Sequence, residues 1–351
     1  MPTAKLAPTA LLNDGTRIPV LGLGTYKVHA EVGRTGSGLH EEIPFGVHVR
    51  GPSNGEDAQA GVGEVEQAVL DALDVGYRHI DTALLYDSEA EVGRAIRTKI
   101  AQGVVKREDV FVCTKLWNNA HRPDLVEPTC RQSLANLGLD YVDLYLMHWP
   151  TAFKEGPDYV PTDADGKVVF SDVDIMDTYR AMEELVRKGL VRSIGVSNFN
   201  SAQLERVLDQ CAIKPVVNQV ECHPHFNQSK LIGLCAQHGV RVVAYSPFGS
   251  PESPWSGGRV DRILDDPAIA AVARKHGKTP GQVVLRFLIQ INAIPIPKSV
   301  TKSRIQQNFE IFDFELNGDD METLNALNKD RRICLFKEGL GHPEYPFSIE
   351  Y

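Results

Sequence analysis

The six cysteines, Cys113, Cys130, Cys211, Cys222, Cys235 and Cys334, include no C-x-x-C pair. Thiols scattered in this way exclude a disulfide-stapled secreted scaffold and imply free thiols in a reducing compartment. Positive charge is also scarce. The 37 Lys and Arg against 46 Asp and Glu leave a net charge of -9. That balance excludes a nucleic acid or an anionic membrane as the main partner, since either needs a basic face. Any anion bound here must meet a local basic pocket. The start, MPTAKLAPTALLNDG, lacks the apolar run of a signal peptide, and no segment is long and apolar enough for a membrane span. The ending SIEY matches no address signal, so the expected location is cytoplasmic. No low-complexity tract occurs. No G-x-G-x-x-G stands between a first strand and a helix, which excludes the Rossmann dinucleotide fold.

Short runs of Val, Ile and Leu, by contrast, alternate with helical patterns along most of the 351 residues. VLGLGT (20–25), RHIDTA, VFVCTKLW, DLYLMHW, SIGVSNF, VVNQVEC, RVVAYSP and AIPIPKS read as eight strands, each followed by one or two helices. Strands apolar throughout and spaced by helices imply a parallel sheet covered on its faces, and eight units favour closure into a (β/α)8 (TIM) barrel of the α/β class. LLNDGTRIPV reads as an N-terminal hairpin turning at Asp-Gly, suited to lid the barrel's bottom. A last helix, GDDMETLNALNKD, and a mixed-polarity tail complete a single domain over 1–351. One segment breaks the rhythm: a Gly-rich loop at 27–61, too long for an ordinary connection.

Chemistry in such a barrel sits at the C-terminal ends of the strands. The stretch GYRHIDTALLY puts Asp81 at the end of the second strand and Tyr86 just beyond it. A carboxylate entering a core needs a partner, because burying it alone costs several kcal/mol or shifts its pKa. Lys115 and Trp117 end the third strand, His148 and Trp149 the fourth, Ser197 and Asn198 the fifth. Gln219 and Glu221 end the sixth, Tyr245 and Ser246 the seventh, Lys298 and Ser299 the eighth. Asp81, Tyr86, Lys115 and His148 can act as one unit. Lys115 beside the phenol is expected to favour the phenolate and lower its pKa, with Asp81 holding the ammonium and His148 orienting a carbonyl. The loops after strands seven and eight, SPFGSPES and KSVTKSR, stand where barrels commonly bind phosphate; Lys298, Arg304, Ser299 and Thr301 there make a local anion pocket.

The motifs GLGTY, GYRHIDTALLY, TKLW, DLYLMHWP, GLVRSIGVSNFN, VNQVECHP, AYSPFGS and IPKSVTKSRIQQNFEIFDFEL, in this order, resemble those of the aldo-keto reductases. The resemblance spans nearly the whole chain apart from 27–61. It implies a catalytic tetrad of Asp81, Tyr86, Lys115 and His148, and reduction of aldehydes or ketones by hydride from NADPH with Tyr86 as proton donor. It further implies that Lys298, Ser299, Val300, Thr301 and Arg304 hold the 2′-phosphate and that Asn308 contacts adenine. Gln307 replaces a glutamate common in relatives. Tyr245 would stack on the nicotinamide, with Ser197, Asn198 and Gln219 on its carboxamide. Gly24, Thr25, Tyr26, Ser246, Pro247 and Gly249 complete the cofactor site, and Lys27 with Glu252 matches a pair that closes over the pyrophosphate. Tyr26, Trp117, Trp149, Trp255 and Cys334 map to the substrate pocket; Arg331 departs from the usual tryptophan. Cys334 is either a pocket-facing thiol or a buried inert one.

The 27–61 loop reads as a surface loop, a pocket lid, an interface element or a splicing artefact. Its His40, Glu41, Glu42 and His48 fit no ligand spacing, and no metal is expected. A metal-dependent hydrolase using His79, His148, His223 and His225 would leave Tyr86, Lys115 and KSVTKSR unexplained. A non-catalytic NADPH-binding redox sensor or structural relative on the same barrel conflicts with an intact tetrad. The expected partner is a small carbonyl compound, and the expected state a monomer.

Overall fold

The computed structural model describes residues 6–26, 63–249 and 262–351. The 27–61 loop, Lys27, Glu252 and Trp255 lie outside the described residues. Asp14-Gly15 turns the chain between β1 (Thr9–Leu11) and β2 (Arg17–Pro19), an antiparallel pair, with Gly15 at φ 89°. A side chain there would strain the backbone, which is the reason for glycine. The hairpin closes the barrel's bottom. Its Leu12 and Ile18 pack among Phe111, Leu144, Val217, Val243 and Ile294, while Asp14 accepts from Ser193 at 2.6 Å.

Eight parallel strands follow: β3 (Leu23–Gly24), β4 (His79–Asp81), β5 (Phe111–Leu116), β6 (Val142–Met147), β7 (Val191–Ser197), β8 (Val217–Glu221), β9 (Arg241–Tyr245) and β10 (Ala293–Pro295). They pair in sequence order, and the seam closes where Gly22 donates to Pro295 O at 3.0 Å and Gly24 to Pro297 O at 3.1 Å. The expected (β/α)8 barrel is the fold. A Cβ on Gly24 would stand 2.8 Å from the Ile296 carbonyl oxygen, so the seam admits only glycine there without shifting backbone.

The helices are α1 (Glu64–Val75), α2 (Glu89–Ala101), α3 (Pro123–Leu137), α4 (Ile175–Arg187), α5 (Ser201–Gln210), α6 (Ser229–Gln237), α7 (Pro267–His276), α8 (Pro280–Gln290), α9 (Lys302–Phe309) and α10 (Gly318–Asn325). Their starts follow local chemistry. Asp174 and Asp266 accept the orphan amides of α4 and α7, and Asn200–Gln203 and Thr279–Gln282 form capping boxes on α5 and α8. The first amides of α1, Val65 and Glu66, are instead taken by Glu91 of α2, at 3.0 and 3.1 Å. Side chains on a strand alternate between two faces. Phe111, Cys113, Leu144, Leu146, Val217 and Val243 therefore form an apolar layer inside the barrel. The same register, continued upward, carries Lys115, His148, Gln219 and Tyr245 to the top of the interior. The alternation that packs the core also builds the site.

Candidate active site

Lys115, buried at the end of β5, donates to Asp81 Oδ1 at 2.7 Å, to the Thr82 carbonyl at 2.9 Å and to Tyr86 Oη at 3.3 Å. Its three ammonium hydrogens are thus all committed. The other Asp81 oxygen accepts from Gln219 Nε2 at 2.8 Å, and the Asp81 backbone carbonyl accepts from both the amide and the hydroxyl of Thr25, at 3.0 and 2.9 Å. Burial opposes the charge on Lys115, but Asp81, Tyr86 and Cys113 outweigh it and hold its pKa above the ordinary lysine value. His148 sits edge-to-face with Tyr86, ring centroids 5.6 Å apart, and with Trp117 at 5.1 Å. Burial, and then the Lys115 ammonium, push its pKa well below the usual value, so its imidazole is neutral.

The phenol departs from expectation. Burial pushes the Tyr86 pKa up to about 12; Lys115 pulls against this, Asp81 adds to it, and the net direction is upward. A lowered value was expected because the sequence shows the cation nearby. It does not show how far the fold takes the half-buried phenol out of water. The Tyr26 ring lies 5.1 Å away edge-to-face.

Beside this unit lies a second polar cluster. Ser197 donates to the Gln219 carbonyl at 2.9 Å, and Asn198 Nδ2 donates to the His148 carbonyl at 2.9 Å and to Ser197 at 3.1 Å. Asn198 Oδ1 accepts from the Tyr245 hydroxyl at 2.8 Å. Asn198 and Ser246 both occupy positive φ, 63° and 48°, a strained conformation that asparagine tolerates better than most residues. Pro247 is buried beyond Ser246, and Gly249, at φ 76°, donates to the Ser246 carbonyl. At the start of α9 the buried Ser299 accepts the Thr301 amide at 3.2 Å. Lys298, Thr301, Arg304 and Gln307 are exposed around it, with Val300 and Asn308 half-buried. Among the described residues neither Lys298 nor Arg304 has an ion-pair partner, whereas Lys302 between them reaches Asp71 at 3.0 Å. Two free guanidinium and ammonium groups over a helix start suit a phosphate.

The pocket wall is aromatic. Trp117 is fixed by its indole donating to the Tyr159 carbonyl at 2.7 Å, and Trp149 stacks on Phe336, centroids 4.0 Å apart and planes 12° apart. Phe153 lies against Phe336 in turn, at 5.9 Å and 13°. Cys334 is half-buried beside Tyr245 and Tyr26; burial pushes its thiol up to about 12. It packs against the aromatic cluster of Trp117, Trp149, Phe153 and Phe336.

Two residues of the site, Phe153 and Phe336, go unnamed in the sequence analysis, and a third, Glu221, is named there only as a strand end without a role. Phe153 and Phe336 left no signal, one standing in a loop and the other in the tail. Glu221 did leave one, the same oddity as Asp81: a carboxylate in a wholly buried strand. The four histidines considered as metal ligands do not converge: His79 pairs with the Pro19 carbonyl, His223 with Glu221 and His225 with Asp266. A cavity of ≈ 500 Å³ at the opposite end of the barrel is lined by Arg17, Arg78, Asp143 and Arg192, away from every strand-end residue named above.

A parallel barrel with an acid, an amine, a phenol and an imidazole convergent at its strand ends has the layout of a barrel enzyme. Residues 54–329 match the profile of the Aldo/keto reductase family. Prostaglandin F synthase 1 of Bos taurus is 45% identical over 343 residues, covering 97% of each chain. Aldo-keto reductase family 1 member A1-A of Danio rerio is 42% identical over 356 residues, covering 99% of this chain and 100% of its own. The solved structure of the aldose reductase from Schistosoma japonicum superposes with a TM-score of 0.83 at 39% identity, covering 98% of this chain and 100% of that one. The chain belongs to the aldo/keto reductase family. It is an oxidoreductase acting on carbonyl or alcohol groups, and the family generally uses a nicotinamide cofactor.

Proposed function

We propose that the protein is an NADPH-dependent reductase converting aldehydes and ketones, among them aldoses and small aliphatic or aromatic aldehydes, to alcohols. The observation that carries this reading is the triple contact of Lys115 Nζ with Asp81, the Thr82 carbonyl and Tyr86 Oη. When bound, the nicotinamide supplies a hydride to the carbonyl carbon. The chain must then protonate the oxygen, and three groups stand near enough to be considered. His148 is unprotonated. Lys115 has a pKa held above its usual value, and all its hydrogens are engaged. Tyr86 keeps its proton at neutral pH, and the Lys115 charge stabilises the phenolate left after transfer. Tyr86 is therefore the acid, Lys115 its electrostatic support, Asp81 the anchor of Lys115, and neutral His148 the group that orients the carbonyl.

The aromatic wall of Tyr26, Trp117, Trp149 and Phe336 suits apolar or aromatic carbonyl compounds. Ser197, Asn198, Gln219 and Tyr245 would hold the nicotinamide end; Gln219 commits one N–H to Asp81 and keeps its amide oxygen for an N–H of the carboxamide. Gly24, Thr25, Tyr26, Ser246, Pro247 and Gly249 would line the middle of the cofactor. Lys298, Ser299, Val300, Thr301 and Arg304 would take the 2′-phosphate, with Gln307 and Asn308 near adenine. In this reading the chain is one barrel domain over 1–351, acting as a monomer in the cytoplasm.

The test is NADPH oxidation with glyceraldehyde and with benzaldehyde, Tyr86→Phe beside the wild type and NADH in parallel. Turnover should prefer NADPH and should fall in Tyr86→Phe by about two to four orders of magnitude. A Tyr86→Phe enzyme that turns over like the wild type would remove the mechanism.

A further inference from the structure

Glu221, the last residue of β8, is wholly buried. Among the described residues its one ion-pair contact is with His223, whose Nε2 lies 2.9 Å from Oε1. A carboxylate taken out of water needs donors. Two of them come from the C-terminal tail: the Ile333 amide at 2.8 Å on Oε1 and the Cys334 amide at 2.7 Å on Oε2. One side chain thus ties consecutive tail amides to the barrel rim. Two residues further along the tail stands Phe336, at φ 47° and ψ 62°. A bulky aromatic in the left-handed region is strained. Its ring nevertheless stacks on Trp149 and Phe153 and meets Trp117 edge-on at 6.2 Å. A strained residue holds its place only when its surroundings fix the backbone around it.

Beyond Phe336 the tail has anchors of its own. Asn200 at the start of α5 donates to the Pro346 carbonyl at 3.0 Å, Arg206 pairs with Glu344 at 2.8 Å, and Ser201 binds the Tyr351 carbonyl at 2.6 Å. Upstream, the Lys329 and Arg331 amides donate to the His225 carbonyl at 3.0 and 3.3 Å, and the carboxylate on β8 is the upstream tie nearest Phe336. We infer that Glu221 is a positioning residue for substrate selection: by holding Ile333 and Cys334 it fixes Phe336 against Trp149 and so sets the depth of the aromatic pocket. The same strand carries Gln219, which holds Asp81, so β8 supports the reacting unit and the pocket wall from adjacent inward positions. This inference rests on the reading of the chain as a carbonyl reductase.

The experiment uses the full chain with NADPH bound and the variants Glu221→Gln and Glu221→Ala. Glu221→Gln keeps the side-chain volume and one acceptor oxygen, so it reads the tie in a folded protein. Hydrogen exchange of the 333–336 amides should speed up by about tenfold or more, the loss of one charge-assisted hydrogen bond, while β8 and the tail beyond Glu344 stay protected. KM for benzaldehyde should rise by about tenfold, with kcat and the KM for glyceraldehyde changing far less. In a Phe336→Ala background the Glu221→Gln effect on the ratio of the two KM values should vanish, because the residues act in series. Unchanged exchange at 333–336, an equal rise in both KM values, or a full effect in the Phe336→Ala background would each overturn the inference. A wild type without turnover would mark failure of the reductase reading, and the exchange measurement would still decide whether Glu221 holds the tail.

Discussion

The half-buried Tyr86 phenol holds its proton far into alkaline solution, since its partial removal from water sets its pKa near 12 despite the Lys115 ammonium 3.3 Å away. The group is therefore an acid in its working state throughout the neutral range. The reduction kcat should stay level from about pH 6 to about pH 9 where chemistry limits the rate, because the donor form is the protonated one. Lys115 matters after the proton leaves, when its charge faces a phenolate. Lys115→Met should lower kcat by about two to four orders of magnitude. It should also destabilise the fold by about 3–5 kcal/mol, because Asp81 would be left as a buried carboxylate without its cation. Single-turnover rates and thermal melts of the same variant separate the two effects. A variant that melts lower yet turns over normally would show the pair to be structural.

At the scale of elements, the start of α9 is a basic site on an acidic protein. Lys298 and Arg304 flank it without ion-pair partners among the described residues, while Lys302 is engaged with Asp71. If these two groups meet the 2′-phosphate, Arg304→Gln should raise the KM for NADPH by about tenfold and leave that for NADH nearly unchanged. Equal effects on both cofactors would assign Arg304 to the shared part of the nucleotide. The site was legible in the sequence because KSVTKSR packs cations and hydroxyls at a predicted strand-to-helix junction. The barrel was legible for a similar local reason: its strands are buried on both faces and read as unbroken apolar runs. Asp81, Lys115, His148 and Gln219 could be placed together because period-2 alternation puts strand-end side chains on the inner face. Glu221 shows where this stops. A carboxylate in a buried strand announces that it has partners, but those partners are backbone amides more than a hundred residues later. No pattern of residue types encodes an amide. Phe336 is illegible for the same reason, since its place depends on a backbone angle that phenylalanine rarely adopts.

Over the whole molecule, burial of neutral imidazoles couples stability to pH. Burial lowers the pKa of His79 to about 4, with Asp81 partly opposing it, and that of His121 to about 3, with the facing His342 adding to the effect. His148 is lowered as well, by burial and Lys115. In the unfolded chain each would titrate near its ordinary value of about 6.5. Between that value and the folded one, the unfolded state binds a proton that the native state refuses, so stability rises with pH there and is lost as pH falls. At pH 5.5 each group should cost about 1.4 kcal/mol, and the three together about 4 kcal/mol. His121 isolates the effect, because it lies off the reacting unit and neither ring nitrogen has a hydrogen-bond partner among the described residues. His121→Leu should reduce the pH slope of unfolding free energy between about pH 5 and pH 6 by about one proton, ~1.4 kcal/mol per pH unit, whatever it does to stability at pH 7. Denaturant unfolding at several pH values would measure it. An unchanged slope would mean that His121 takes up its proton equally in both states, and that its surroundings in the native chain admit the charge.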